Sequence, residues 1–193
     1  VRMCRWLRDN GAKDDINGEV RSRRALHFAC FGGHVVTVEW LLGEGAELHI
    51  VDDCGQRPAH FAAMKGRVEV LEVLAARGAS MSDADMDGDT PMHVGAMHSH
   101  GHATCVWLAG NGFIEDLQKQ NKFGTTPVDV ICEGAEPDRC RWLHDLRLGD
   151  GTSFCDAELR SRLLDIITGT GDEEETATES EEEDDNDEDD SGL

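Results

Sequence analysis

The sequence lacks the features that mark a secreted or membrane-anchored protein. It has no basic and then apolar leader at its start, no Asn-x-Ser/Thr acceptor, and no apolar stretch near the ~18 residues that a membrane-spanning helix requires. Its seven cysteines are an odd number without paired spacing, which argues against a disulfide or zinc framework. We therefore expect a cytoplasmic or nuclear protein that has no membrane partner.

Recognisable catalytic motifs are also missing. The chain contains no Gly-x-x-x-x-Gly-Lys loop, no Gly-x-Ser-x-Gly elbow and no His-Glu-x-x-His helix. No combination of a nucleophile, a base and oxyanion donors is apparent in the sequence. The sequence thus predicts a protein that is not an enzyme and holds no cofactor.

Two groups of potential metal ligands have simpler interpretations. Residues 83–88 resemble the first half of a calcium-binding EF-hand loop, but the twelfth position is Val94 instead of the bidentate glutamate. His98, His100 and His102 alternate in a short insertion, where we expect an exposed polar turn and not a zinc or copper site. No metal ion is predicted.

Acidic residues are concentrated at the C-terminal end of the chain. The formal net charge is −22, and residues 172–190 contain 14 of the acidic residues and none of the basic ones. The remaining residues include 26 acidic and 18 basic side chains, for a charge of −8. Residues 171–193 are too polar to form a core and are predicted to be a disordered acidic tail. Nucleic acid is not an expected partner, because the whole chain is acidic.

What the sequence does contain is a tetrad that recurs every 33 residues. It reads Arg-Ala-Leu-His at 24–27, Arg-Pro-Ala-His at 57–60 and Thr-Pro-Met-His at 90–93, with a divergent copy, Thr-Pro-Val-Asp, at 126–129. A second marker, Trp-Leu or Val-Leu, begins at residues 6, 40, 73, 107 and 142. This marker follows the last tetrad residue by 13 or 14 positions in all four copies, so the two markers are in phase.

The repeat resembles the ankyrin repeat, which has a period of 33 residues and the core motif Thr-Pro-Leu-His. The resemblance covers residues 1–148. It implies a first helix that starts at each tetrad, a second helix that carries the marker, and a hairpin finger that leads to the next tetrad. The implied fold is an all-α, ankyrin-like helical solenoid of about four repeats. Gly45 and Gly78 are expected to end second helices in the left-handed conformation.

The predicted boundaries follow from this phase. Residues 1–18 form a partial repeat, and repeats follow over 19–51, 52–84, 85–120 and 121–148. A linker and capping helix occupy 149–170, and the tail occupies 171–193. Because the chain opens at Val1 within a predicted second helix, we expect either a fragment or a natively capped half-repeat. An apolar stripe over residues 156–168 marks the helix that should cover the end of the stack, with a partner-binding helix as the alternative.

Three expectations concern the core. The tetrad histidines should hydrogen-bond to the backbone of the fingers. The tryptophans at the marker position should be buried between the two helix layers, namely Trp40, Trp107 and Trp142. Cysteines stand two residues before the marker where other copies have Val38 and Leu71, so Cys105 and Cys140 should be core hydrophobes.

Ankyrin-like stacks bind proteins on a concave face that finger tips and first helices form together. By repeat phase, the resemblance assigns the helix positions of this face to Phe31, Met64, Lys65, Met97 and His98. It assigns the finger positions to Asp53, Gln56, Met86, Asp89, Lys122 and Thr125. Phe31, Met64 and Met97 then form a candidate apolar stripe beside acidic fingers, although the same residues could instead fill gaps between adjacent first helices.

These features predict a monomeric, non-enzymatic adaptor or scaffold that binds one protein partner through a segment with basic and apolar residues. The alternative is a chaperone or sequestering factor for basic proteins, in which the acidic tail carries the binding. Acidic residues follow three positions after each of three hydroxyl side chains in the tail. These candidate sites for acidophilic kinases are Thr176, Thr178 and Ser180.

Overall fold

The computed structural model describes residues 17–20, 23–134, 136–147 and 152–168. Most of the predicted half-repeat over 1–18, the start of the linker and the acidic tail lie outside these ranges. The three candidate phosphorylation sites lie outside them as well. Within the described ranges, the chain is helical apart from turns and one short hairpin, in which β1 (Glu19–Val20) pairs with β2 (Arg23–Arg24) in antiparallel fashion.

The helices follow one another in pairs along the chain. The pairs are α1 (Ala25–Gly32) with α2 (Val35–Gly43), α3 (Pro58–Met64) with α4 (Val68–Ala76), α5 (Pro91–Met97) with α6 (His102–Leu108), and α7 (Pro127–Glu133) with α8 (Pro137–Asp145). A last helix, α9, spans Ala157–Thr168. We call the first helix of each pair the inner helix and the second the outer helix.

The pairs stack into a two-layered solenoid. Inner helices contact inner helices, as α1 contacts α3, α3 contacts α5 and α5 contacts α7. Outer helices likewise contact one another from α2 to α4 and from α4 to α6. Each pair buries its apolar side against its neighbours because it is too small to bury that side alone. This all-α architecture is the predicted one.

Each inner helix begins at a tetrad for a local reason. The backbone N–H of the first tetrad residue donates to the Nδ1 atom of the histidine three positions later, at 3.1 Å for Arg24 to His27 and 3.1 Å for Arg57 to His60. In the fourth tetrad, Asp129 takes the place of the histidine as the acceptor. Its carboxylate accepts from the Thr126 N–H at 2.9 Å and from the Thr126 hydroxyl at 2.6 Å. These bonds satisfy N–H groups that a helix start would otherwise leave unpaired.

The fingers are three hairpin turns over residues 52–57, 85–90 and 121–126. In each one, a side-chain oxygen of the first residue accepts two backbone N–H groups, two and four positions later. The first residues are Asp52, Asp85 and Asn121. A glycine at the fourth position has a positive φ, which is 84° at Gly88, and this lets the chain turn back without strain.

The helix α9 covers the C-terminal end of the stack. It packs against α8 and α7, and Leu163 in its middle is completely buried. Its apolar stripe is only partly used, because Leu164 stays exposed while Leu159, Ile166 and Ile167 are partly buried against the core. The helix thus takes the position that the sequence predicts for a cap.

The cysteine expectation is confirmed, whereas the tryptophan expectation is wrong. Cys105 and Cys140 are completely buried, as are their repeat equivalents, and burial raises the pKa of the Cys105 thiol to about 12. The marker tryptophans Trp40, Trp107 and Trp142 are only partly buried. The leucine after each of them fills the core instead, because one residue further is a rotation of about 100° around a helix.

The insertion in the third repeat changes how an inner helix ends. In α1 and α3, Gly33 and Gly66 adopt positive φ and donate their N–H groups to Cys30 and Ala63, each at 3.1 Å. After α5, the chain instead forms a short 3-10 turn over Ser99–Gly101, and Gly101 has a φ of −85°. The third repeat, which carries the extra residue, therefore lacks the glycine cap that ends α1 and α3.

A buried arginine from the next repeat replaces the missing cap. The Arg139 side chain is nearly inaccessible, and its Nη2 atom donates to the carbonyl of Ala96 in the last turn of α5. Thr104, which has the same repeat position as Arg139, donates its hydroxyl to the carbonyl of Ala63 at 3.3 Å. A cation near the C-terminal end of a helix also interacts favourably with the helix dipole.

We expect Arg139→Ala to lower the free energy of unfolding by about 2–4 kcal/mol. The change leaves the Ala96 carbonyl unpaired in the interior, which costs roughly 1–3 kcal/mol, and it also opens a cavity between α5 and α8. The matched control is Arg141→Ala on the same helix, where an exposed arginine faces Asp138 at 3.7 Å. Such surface pairs contribute at most about 1 kcal/mol. Equal losses for the two variants in guanidinium denaturation would contradict this role of Arg139.

Candidate protein-binding face

The fingers form a continuous rim along one side of the stack. The N–H of Met86 donates to the carbonyl of Cys54 at 2.9 Å, and the N–H of Lys122 donates to the carbonyl of Asp87 at 2.9 Å. Neighbouring finger tips are therefore fixed to one another by backbone hydrogen bonds. We call the finger tips together with the adjacent outward positions of the inner helices the binding face.

The inner helices contribute a partly accessible apolar stripe to this face. Phe31 and Met97 are exposed, while Met64 between them is half-buried. The ammonium group of Lys65 lies 5.0 Å from the centre of the Phe31 ring, which is a cation–π distance. His98 is half-buried, and its Nδ1 atom contacts the carbonyl of Val94 at 2.9 Å. Phe31 and Met97 are thus accessible to a partner, as the first alternative expects. Met64 is half-buried, as the second alternative expects for a residue between adjacent inner helices.

The predicted finger residues separate into tip positions and base positions. At the tips, Asp53, Met86 and Lys122 are exposed, and Met86 keeps 59% of its surface accessible. At the bases, Gln56 donates its amide to the Asp85 carboxylate at 3.2 Å, and Thr125 is half-buried. Only the tips present whole side chains to a partner.

The expectation that Asp89 presents its side chain to a partner needs correction. Asp89 is buried at a finger base, where its carboxylate accepts from the Asn121 amide at 2.8 Å. Its backbone carbonyl contacts the Nε2 atom of His60 at 3.0 Å. Asp89 therefore links its own finger to the next finger and to the inner helix α3, and its side chain does not face the solvent.

Sequence reasoning missed the most exposed large hydrophobic residue of the described chain. Phe123 follows Lys122 at the third finger tip and has 74% of its surface accessible. Its backbone N–H donates to Asn121, so the turn itself holds the ring away from the core. A large aromatic residue within an Asn-x-x-Gly turn was the available signal, because the middle positions of such turns face outward.

The exposed charges of the binding face lie beside these apolar tips. The exposed aspartates Asp53 and Asp87 lie on the first two fingers, and Lys122 lies on the third. Deeper in the face, the Asp52 carboxylate pairs with the Arg23 guanidinium at 3.2 Å. The same guanidinium lies 4.9 Å from the centre of the Phe61 ring. The accessible acidic groups are therefore those of the finger tips.

The tetrad histidines have structural roles and are held neutral. Burial lowers the pKa of His27, His60 and His93, because a charged ring would lose its hydration. The predicted bond to the finger backbone is present for His60. His27 and His93 lie near the finger backbone at Gln56 and Thr125, which opposes part of the lowering of their pKa by burial, but their Nε2 atoms make no hydrogen bond of good geometry within the described part of the chain.

The structure does not bring the three histidines of the insertion together into one group of potential ligands. Across residues 17–20, 23–134, 136–147 and 152–168, no group of three or more His, Cys, Asp or Glu side chains is placed to hold an ion. The expected exposed turn is only partly present, since His100 is exposed and His102 is half-buried. The His102 ring meets Trp142 edge-on at 5.3 Å, and burial lowers the pKa of His102.

A family model of ankyrin repeats matches three copies over residues 26–113. This part of the chain is therefore a stack of ankyrin repeats. Ankyrin repeats are in general protein–protein interaction modules without catalytic activity, so the family indicates a protein partner and supports an adaptor role. A comparison with curated proteins finds no significant relative. Among the helices that the structure describes, none has the length and apolar character needed to cross a membrane.

Proposed function

We propose that this chain is a non-enzymatic adaptor that holds one protein partner on the binding face. The observation that carries the proposal is the set of exposed apolar side chains on a rigid, hydrogen-bonded rim. Met86 and Phe123 lie on adjacent fingers whose backbones are bonded to each other, and Met97 lies on an inner helix of the same repeats. Because backbone hydrogen bonds already fix the finger tips, little backbone conformational entropy is lost when a partner covers these side chains.

The charges on the face favour a particular kind of partner. Asp53 and Asp87 flank the apolar tips, so a segment with basic residues beside an apolar anchor would be complementary to them. Exposed charges of this kind act mainly on the association rate and on specificity. Methionine at the anchor position adapts to partners of irregular shape, since its side chain is flexible. The location of the protein in the cytoplasm or nucleus stays a prediction.

The test is a pair of substitutions on the binding face, Met86→Asp with Met97→Asp. Both side chains are exposed, so the variant should fold as the wild type does. A partner is first captured by cross-linking from cell extract, and its affinity for the purified chain is then measured by calorimetry. We expect the affinity to fall at least about tenfold, or ~1.4 kcal/mol, because each aspartate places a charge in an apolar contact.

The matched control carries the same two charges on the outer helices. Val36→Asp with Val106→Asp changes two exposed apolar residues on α2 and α6, away from the fingers. This variant should bind as tightly as the wild type. Unchanged affinity in the binding-face variant, with loss of binding after deletion of residues 172–193, would instead assign the partner to the acidic tail.

A further inference from the structure

The described part of the chain contains two Asn-Gly pairs whose asparagine side chains are held to different extents. One is Asn17-Gly18, just before the hairpin of β1 and β2, and the other is Asn111-Gly112, just after the outer helix α6. Asparagine loses its side-chain amide most readily when glycine follows it, because glycine has no Cβ atom to hinder the approach of its backbone nitrogen. The two pairs therefore place the same chemistry in two different surroundings.

Asn17 is fixed by the turn that follows α2. Its side-chain nitrogen donates to the carbonyl of Gly45 at 3.3 Å, and its side-chain oxygen accepts the backbone N–H of Glu47 at 3.0 Å. These partners are 28 and 30 positions away along the chain. Two long-range hydrogen bonds must therefore open before the Cγ carbon of Asn17 can turn toward the nitrogen of the next residue.

Asn111 is held less firmly. It is exposed, and its side-chain nitrogen donates to the carbonyl of Trp107 at 2.8 Å, only four positions back. Within the described residues, this is the one hydrogen bond of the Asn111 side chain. Gly112 is also exposed, and a Cβ atom there would meet no heavy atom within 4 Å beyond its chain neighbours. A single local bond and open space leave this pair free to rearrange.

The turn after an outer helix does not itself require an asparagine. Gly45 and Gly78 occupy the same repeat position as Gly112, and all three have a positive φ, of 95°, 87° and 94°. The residues before the first two glycines are Glu44 and Arg77. The backbone conformation thus explains the glycine at this position, whereas the carboxamide before it is a property of the third repeat.

We propose that Asn111 is a site of spontaneous deamidation, at which the side-chain amide becomes a carboxylate as the protein ages. Hydroxide removes the proton of the Gly112 backbone nitrogen, and this nitrogen bonds to the Cγ carbon of Asn111. The bond from Cγ to the side-chain nitrogen breaks, ammonia leaves, and a succinimide ring is formed. Water then adds to one of the two ring carbonyl carbons and opens the ring to aspartate or isoaspartate. The reaction consumes one water and releases one ammonia, and it does not depend on the binding face.

The products loosen the C-terminal end of α6. An aspartate carboxylate cannot donate to the Trp107 carbonyl, and its negative charge lies near the negative end of the helix dipole. Isoaspartate in addition inserts a side-chain carbon into the backbone. Leu108 ends the same helix and is completely buried, so the change occurs next to the core of the third repeat.

The test follows the folded full chain in mildly alkaline buffer by peptide mapping and mass spectrometry. We expect the amide of Asn111 to be lost at least about fivefold faster than that of Asn17, which corresponds to one additional hydrogen bond of ~1 kcal/mol at Asn17. A third pair, Asn10-Gly11, lies outside the described residues and is followed as a separate peptide.

The same chain unfolded in urea provides the reference for the reaction time. Neither site is protected there, so Asn17 and Asn111 should react at similar rates. An intact Asn111 amide in the folded chain, after an incubation that deamidates the unfolded chain, would overturn the proposal. Equal rates at the two sites in the folded chain would overturn it as well.

Two substitutions test the consequence for stability. Asn111→Asp reproduces one product and should lower the midpoint of chemical denaturation. The matched control is Asn111→Arg, which supplies the residue that precedes Gly78 in the second repeat and places a cation at the helix end. This control should keep at least the wild-type midpoint and release no ammonia from this position. A wild-type midpoint for Asn111→Asp would refute the loosening of α6.

Discussion

Truncation of Leu108 to alanine should lower the free energy of unfolding by about 2–5 kcal/mol. Leu108 ends the outer helix α6 and is completely buried, as are the equivalent residues Leu74 and Leu143. Removing three carbon atoms from a closely packed interior loses both the transfer free energy and the contacts around the cavity that remains. The effect should be large because each outer helix has few turns over which to redistribute its packing.

The measurement is chemical denaturation followed by far-ultraviolet circular dichroism. The matched control is Leu164→Ala in α9, which changes a leucine that is 42% exposed and should lose far less stability. A long repeat stack can unfold in parts, so the slope of the transition should be compared as well as its midpoint. Losses of similar size in both variants would show that the assignment of Leu108 to the core is wrong.

Acidification below about pH 6.5 should destabilise the stack. Burial lowers the pKa of four histidines in the folded chain, namely His27, His60, His93 and His102. The unfolded chain therefore binds more protons than the folded one in this range, and stability rises with pH. The stability that comes from keeping these histidines neutral is complete above their unfolded pKa of about 6.5, and it is lost as the pH falls below that value.

The free energy of unfolding should change steeply with pH because several histidines contribute in the same pH range. Each histidine contributes up to about 1.4 kcal/mol per pH unit between its unfolded and folded pKa values. The pKa of Asp129 is also lowered, through its hydrogen bonds with Thr126, but a carboxylate loses its contribution at a lower pH than a histidine. Denaturation series between pH 5 and pH 7.5 thus report mainly on the histidines.

Two variants separate the buried histidines from the exposed ones. In His60→Asn, the neutral amide oxygen can accept the backbone N–H of the first tetrad residue, as the Asp129 carboxylate does in the fourth tetrad. This variant should reduce the slope of stability against pH, because one titrating group is removed. His49→Gln, which changes a histidine at an exposed position, is the matched control for the loss of a histidine side chain. A stability that is flat across this pH range in the wild type would contradict the prediction.

Several features of the site could be predicted from the sequence because they depend on local chemistry. The tetrads mark helix starts, since a histidine or aspartate three residues into the helix accepts the first N–H group. Gly45 and Gly78 adopt the positive φ expected after an outer helix, at 95° and 87°. The exposed positions of Met86 and Lys122 also follow from the finger phase alone. All of these properties involve residues within a few positions of one another.

Other features could not be read because they involve partners in different repeats. Asp89 was predicted at the binding face, but its contact with Asn121 joins residues 32 positions apart and draws it inward. The Arg139 bond to Ala96 spans 43 positions and takes the place of a glycine cap that the third repeat lacks. Neither contact can be predicted from the repeat period, because each depends on how two repeats pack against each other.

The sequence by itself determined the period, the helix starts, the caps and the burial of the two cysteines. These follow from hydrogen bonding and backbone conformation within one repeat, where 33-residue spacing repeats the same chemistry. Only the tertiary structure decided that leucine and not tryptophan fills the space between the layers, and that the Asp89 carboxylate is buried at a finger base. Burial depends on what lies across the interface: Phe61 is covered where α1 packs against it through His27, whereas Phe28, at the same repeat position of α1, keeps 51% of its surface accessible.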